Sequence, residues 1–118
     1  MRVIVCGGRD FGGNRFDASL LTHTMNKLHR RELITAVIEG DARGADRMAG
    51  LWARKLGITN LKYPAKWAKY GKAAGIIRNQ AMLAQSAPDF LVAFPGGRGT
   101  ADMVRIARNT GLLVLEVS

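Results

Sequence analysis

Two periodicities alternate along this chain. Short, nearly continuous apolar runs are separated by stretches in which apolar residues recur at helical spacing. The first run, RVIVC (residues 2–6), is rich in β-branched residues and is stopped by Gly7-Gly8. Phe16, Leu20, Leu21, Thr24 and Leu28 then recur as one face of a helix ending near Arg30-Arg31. TAVIE (residues 35–39) predicts a second strand, stopped at Gly40. Ala45, Met48, Ala49, Trp52, Ala53 and Leu56 form an apolar helical stripe, with Gly57 at the position of a C-cap. ITNLKY (residues 58–63) predicts a third strand, closed by Pro64. Residues 64–75 read as a loop, and a helix through Ile77, Ala81 and Ala84 follows. DFLVAF (residues 89–94) is the fourth strand. A helix from about residue 100 to residue 109, then Gly111 and the strand LLVLEV, complete the chain.

Strands separated by helices imply right-handed crossovers and a parallel sheet covered on both faces. Near-continuous apolar runs fit strands buried on both sides. The expected architecture is α/β: a single Rossmann-like three-layer α/β/α domain over residues 1–118, with a five-stranded, mostly parallel sheet. The chain carries no internal repeat, linker or low-complexity segment.

Composition narrows the class. At 118 residues, 47% hydrophobic and 23% charged, the chain suits one globular core and not a disordered segment. No apolar run approaches the roughly 20 residues of a membrane span, and the N-terminus has no signal-peptide pattern. A lone cysteine excludes an internal disulfide and a cysteine-based zinc site. These features predict a cytoplasmic protein with no membrane partner.

Charge changes the picture more once it is located. The net charge is +9, and no Asp or Glu occurs between Asp46 and Asp89. That interval holds Arg47, Arg54, Lys55, Lys62, Lys66, Lys69, Lys72 and Arg78, nearly the whole excess. A stretch of one sign attracts anions, which points to phosphate, in a nucleotide or in a nucleic acid. A solvated basic face is the plainer alternative.

Parallel α/β sheets bind ligands beyond the carboxyl ends of their strands, where the strand order reverses. Three strands here end in glycine-containing polar turns: CGGRD, EGDARGAD and FPGGRGT. In the last, Gly96, Gly97 and Gly99 tolerate positive φ and let a ligand approach the backbone. A helix starting near Thr100 aims its unpaired N–H groups and positive dipole end at such a ligand. Thr100 either caps that helix or donates to a phosphate oxygen, both from the same location. Arg98 lies within the turn. Two familiar phosphate loops are absent. Gly71-Lys72 lacks the Walker pattern, with Ala73 in place of the hydroxyl residue and Lys66 in place of the first glycine, and no G-x-G-x-x-G follows the first strand.

PGGRGT (residues 95–100) resembles the P-G-G-x-G-T signature of the SLOG superfamily, which includes the LOG phosphoribohydrolases and the DNA-processing protein DprA. RNQAM (residues 78–82) resembles the Arg-Lys-x-x-Met helix segment of the LOG proteins in its Arg and Met. The ordered set GGRDF, EGDARGADRMAGLWA, PAKWAKYGKAAGIIRNQAML and AFPGGRGTADM is similar to the YspA/cpYpsA-related SLOG family, from Gly7 to Met103. The resemblance implies a Rossmannoid fold and a nucleotide or nucleotide-derived ligand. It also implies self-association, because superfamily relatives commonly form homo-oligomers. The LOG signature continues to a glutamate that acts with the helix arginine in glycosidic cleavage. Here that position is Met103, whose thioether can neither carry charge nor shuttle a proton. Asp102 is the neighbouring carboxylate, turned away by about 100°.

The remaining candidates sit on the other turns. Asp10, Asp41 and Asp46 are placed to grip ribose hydroxyls or act as acid or base. Their structural alternative is to cap helices and turns, and Asp46 falls in the first turn of a helix, where the dipole favours it. Arg9 and Arg43 are candidate phosphate partners on the same turns as Gly7, Gly8, Gly40 and Gly44. In PAKWAKYGKAAG, Trp67 and Tyr70 interleave with Lys66, Lys69 and Lys72; an aromatic face can stack on a base while ammonium groups meet phosphates. The alternative there is an indole covering the sheet edge. Arg78 is a candidate to bind phosphate, and its neighbour Asn79 joins the ligand-binding set. Trp52 reads as core. His23 and His29 lack partners at ligand spacing, Cys6 reads as buried and inert, and neither a metal nor a cofactor is implied.

Three functions follow as expectations. The first is a domain that binds or senses a nucleotide or nucleotide derivative. The second is a nucleoside monophosphate N-glycosidic hydrolase, in which Arg78 holds phosphate and Asp102 or another site carboxylate assists departure of the base. The third is single-stranded nucleic-acid binding through the basic interval and Trp67.

Overall fold

The apolar runs become five strands in the computed structural model, which describes residues 1–118. They are β1 (Arg2–Cys6), β2 (Ala36–Glu39), β3 (Thr59–Lys62), β4 (Phe90–Ala93) and β5 (Leu113–Glu116). The helices are α1 (Arg15–Arg31), α2 (Ala45–Lys55), α3 (Trp67–Tyr70), α4 (Ala74–Gln85) and α5 (Arg98–Asn109), with a 3₁₀ turn at Gly71–Ala73. The sheet order is β3-β2-β1-β4-β5, and every neighbouring pair is parallel. Successive crossovers build outward from β1 to β3, and the chain then returns across β1 to β4. The switch point therefore lies between β1 and β4.

Alternation along the strands divides the core in two. Val3, Val5, Val37 and Val92 face Leu21 and Met25 of α1 and Ala45, Ala49 and Trp52 of α2. Ile4, Cys6, Ile38, Leu91 and Ala93 face Met82 of α4 and Met103, Val104 and Ala107 of α5. This is the three-layer α/β/α arrangement that the sequence predicts. Trp52 is buried as expected, its Nε1 donating to Asn26 Oδ1 at 2.9 Å, with the His29 ring edge-on at 5.8 Å. His29 is a packing residue, and its Nδ1 accepts from the Ile34 amide at 2.9 Å.

Four local expectations are corrected. Continuous burial holds for β1, β2 and β4 but not for β3 or β5, which are edge strands with a neighbour on one side only; Leu113 is 70% exposed. Phe16, counted in the apolar face of α1, stands in its first turn and is 86% exposed. Residues 64–75 are not one loop. The Lys69 and Tyr70 amides donate to Lys66 O at 3.0 Å, closing the short helix α3 before the 3₁₀ turn runs into α4. Finally, α5 starts at Arg98, two residues before Thr100.

The sheet and α2 meet with no room to spare where β1 ends. A Cβ on Gly7 would lie 2.5 Å from the Ala45 Cβ and 3.0 Å from the Phe94 Cβ. Gly7→Ala is expected to destabilise the fold by about 1–3 kcal/mol, as overpacking does. Urea denaturation checks this as a lower midpoint at unchanged slope.

Candidate functional site

The turns after β1, β2 and β4 converge on one end of the sheet and are joined through the backbone of Gly8. Its amide donates to Pro95 O at 2.9 Å, and its carbonyl accepts from the Ala45 amide at 3.3 Å. A Cβ on Gly8 would meet Pro95 O at 3.0 Å and Gly96 Cα at 3.1 Å. Gly44, at φ 90°, passes directly beneath the Gly8 carbonyl, where a Cβ would collide with that oxygen. Glycines at these crossings let three chain segments touch.

In PGGRGT none of the three glycines takes a positive φ. What they contribute is space. Gly96 is packed: a Cβ there would strike Thr100 Oγ1 and the Gly8 amide. Gly97 and Gly99 face open space, with no atom within 4 Å of where a Cβ would stand. Gly97, not Thr100, is the N-cap of α5, and it makes no side-chain capping bond, so the capping role for Thr100 is set aside. The amides of Gly97, Arg98, Gly99 and Thr100 have no protein acceptor. First-turn amides of a helix are unpaired by geometry and carry its positive dipole end.

Arg78 and Asp102 are joined by one side chain. Asn79, buried between α4 and α5, accepts from Arg78 Nε at 3.0 Å and donates to Asp102 Oδ2 at 3.1 Å and Gly99 O at 3.2 Å. Arg78 Nη1 donates to Gly40 O at 2.7 Å and Tyr63 O at 3.3 Å. Its Nη2 group keeps both protons unshared with protein. Asp102 is 16% exposed and also pairs with Arg105 at 2.9 Å. Met103, by contrast, is 0% exposed and belongs to the core. The helical step between them puts the carboxylate on the cleft and the thioether against the sheet.

The turn after β2 is held by buried acid groups. Glu39, fully buried, accepts from the Asp41 amide at 2.5 Å, Asn60 Nδ2 at 3.0 Å and Lys62 Nζ at 3.0 Å. Gly50 on α2 makes room for this network, since a Cβ there would lie 2.6 Å from Glu39 Oε2. Lys62 also bonds Asp41 at 2.9 Å. That bond holds the Asp41 carboxyl below its ordinary value. Burial lowers the Lys62 ammonium, but bonds to Asp41 and Glu39 outweigh it and leave the pKa above the usual lysine value. Asp46 accepts from the amides of Gly40 at 3.2 Å and Ala42 at 3.4 Å. Burial raises the Asp46 carboxyl to about 6, against the pull of Arg78 and of the Ala42 and Gly40 amides.

These elements enclose a cleft of about 670 Å³. The sequence-predicted residues on its wall are Gly7, Gly8 and Arg9 from the first turn, Asp46 from α2 and Trp67 from α3. Lys72, Arg78 and Asn79 join them, with Gly97, Arg98, Gly99, Thr100 and Asp102 from the last turn. Gly40, Asp41 and Arg43 line an adjoining cavity instead. Asp10, Gly44 and Gly96 line neither; Asp10 is on the surface, where it pairs with Arg43 at 3.3 Å. Cys6, Ala42, Gly75, Ile76 and Met82 complete the cleft without having been singled out as binding residues. Cys6, Ile76 and Met82 read in the sequence only as strand or helix positions, whereas Ala42 lies within the turn EGDARGAD and Gly75 at the end of the stretch read as a loop. Burial pushes the Cys6 thiol up, with Asp46 adding to the effect, so it stays protonated and inert. Arg9 lies over the Trp67 ring, 5.4 Å from its centroid. No helix is long and apolar enough to cross a membrane.

A doubly wound parallel sheet with a cleft at its switch point defines a Rossmann-like domain. A profile of the YspA, cpYpsA-related SLOG family matches residues 1–70, and the chain belongs to that family. It is also similar to the Gene 61 protein of Mycobacterium phage D29, with 39% identity over 122 residues covering 98% of this chain and 94% of that protein. The matched profile takes in the turns after β1 and β2, while Arg78 and the last turn join them through the tertiary structure.

The raised Asp46 pKa has a definite sign. Between about 4 and about 6 the folded state holds a proton that the unfolded state releases, so stability falls as pH rises through that window. Asp46→Asn keeps an oxygen for the Gly40 and Ala42 amides and removes the titration. Denaturation at pH 4 and pH 7 is expected to show the native protein losing up to about 3 kcal/mol relative to the variant.

Proposed function

We propose that the cleft binds a nucleotide or nucleotide derivative, with a phosphoryl group seated on the turn that opens α5. The observation that carries this reading is the set of four consecutive amides, Gly97 to Thr100, without protein acceptors on the wall of a cleft. Such an arrangement is an anion site by its own electrostatics. Open space at Gly97 and Gly99 gives an anion access to the amides. Arg9, Lys72, Arg78 and Arg98 stand around the same cleft, and Arg78 Nη2 is available for a charge-assisted bond. Trp67 on the same wall supplies a flat apolar face for a base, and membership of a SLOG family is in keeping with a nucleotide-related ligand.

Asp102 favours a second reading, N-glycosidic hydrolysis of a nucleoside monophosphate. It is a carboxylate on the cleft wall, held by Asn79 and Arg105, and Asn79 ties it to Arg78. Arg78 would hold the phosphate while Asp102 assists departure of the base. Incubation with nucleoside monophosphates, followed by chromatography, is expected to yield free base and ribose phosphate under this reading; their absence removes it and leaves binding alone.

Calorimetry against nucleoside monophosphates, ADP-ribose and NAD tests the main reading. Gly99→Ala is expected to weaken binding of the best ligand about tenfold or more, a loss of about 1.4 kcal/mol. The same change is expected to leave the fold as stable or up to about 1 kcal/mol more stable, because alanine replaces glycine inside a helix. No binding by any member of the panel, or unaltered binding by the variant, would overturn the proposal.

A further inference from the structure

A second cavity of about 440 Å³ adjoins the cleft, between the turn after β2 and the segment entering α3. Arg9, Ala42, Trp67 and Arg78 line both spaces, so the two cavities share a wall of these residues. The annexe alone adds Arg43 and Arg47. Four arginines thus meet one carboxylate there, Asp41, and that carboxylate is already engaged by Lys62 at 2.9 Å and Arg47 at 3.5 Å. Arg43 has only Asp10, at 3.3 Å, with both side chains largely in solvent. An exposed pair of that kind is weak and readily exchanged for a better acceptor. Guanidinium forks match the oxygens of a phosphoryl group in pairs, and a concave wall of them concentrates the field.

We propose that the annexe is a second anion subsite, and that the ligand is a small nucleotide derivative carrying two phosphoryl groups. One group sits on the Gly97–Thr100 turn and the other among Arg9, Arg43 and Arg47. This rests on the reading of the main cleft as a nucleotide site. It adds a requirement that a nucleoside monophosphate cannot meet, since one phosphate fills only one of the two subsites. Arg9, over Trp67 at the boundary, is positioned to serve either side.

The test is calorimetry of the full chain with adenosine and guanosine 5′-monophosphates, compared with their 3′,5′-bisphosphates, with ADP-ribose and with a short 5′-phosphorylated single strand. At least one two-phosphate probe is expected to bind about tenfold or more tightly than its monophosphate. The double variant Arg43→Ala/Arg47→Ala is expected to bring that probe back to the affinity of the monophosphate for the native protein. Arg47 also holds the Asp41 carbonyl at 3.2 Å, so Arg43→Ala alone, whose side chain holds only Asp10, tests the same point should the double variant fold poorly. Monophosphate binding with no gain from any second phosphate overturns the annexe and leaves the main cleft as proposed. A gain that survives the arginine variants also overturns it. No binding by any probe overturns both readings. A gain given by a 5′-phosphorylated single strand, and by none of the small probes, rejects the small-molecule ligand in favour of nucleic acid.

Discussion

The site depends on the way three chain segments cross at Gly8. One peptide group there bonds to the turn after β4 through its amide and to the start of α2 through its carbonyl. Side chains at Gly7, Gly8, Gly44 or Gly96 would force those segments apart, because the atoms they would meet are backbone or first side-chain atoms. A contact between main chains has little freedom to relax, so the relative positions of the three turns are set by the parallel sheet beneath them. The cleft inherits that rigidity. Amides that are already oriented need no rearrangement to receive an anion, which is how preorganised dipoles gain affinity.

Charge is arranged in layers around this crossing. Glu39 and Asp46 are buried beneath the turn after β2, and the cations Lys62 and Arg78 hold that turn from outside. Buried carboxylates are tolerable there because each has hydrogen-bond partners. Glu39 also anchors Lys62, whereas Asp46 is engaged by backbone amides alone, so neither pairs with the arginines on the cleft rim. Arg78 shows the division within one residue: Nε bonds its neighbour Asn79 and Nη1 ties α4 to Gly40 and Tyr63, while Nη2 stays uncommitted. Its structural role and its candidate binding role use different nitrogens.

The start of α5 decides which side chains the cleft receives. Beginning at Arg98, the helix turns Asp102 toward Asn79 and the cleft and Met103 into the core against the sheet. A glutamate at 103 would stand among buried apolar groups unless the helix rotated. The substitution of methionine for the signature glutamate is therefore consistent with the packing of this helix. Chemistry that relied on a carboxylate in this region would have to pass to Asp102, held by Asn79 and Arg105.

Most of the fold was legible in the chain because period and composition are local. The apolar runs at residues 2–6 and 35–39 and the stripe on α2 specify strands and a helix from their own neighbours, and alternation with helices then implies a parallel sheet. The glycine turns were legible as well, since missing side chains are visible without coordinates. What the sequence could not specify was partnership across distance. Glu39 looked like the end of a strand until Asn60 and Lys62 came beside it from β3, and Asn79, read only as a ligand-binding candidate, was seen to join Arg78 to Asp102 once α4 met α5. Asp10 and Asp46 were both candidates beside glycine turns, yet one is exposed and the other is buried in the cleft wall, because only Asp46 folds back onto the backbone amides of Gly40 and Ala42. The sequence by itself determined the elements and the polar turns at their ends. Tertiary structure alone decided which polar groups share a dry environment, because burial and charge coupling depend on neighbours that the chain brings from far along its length.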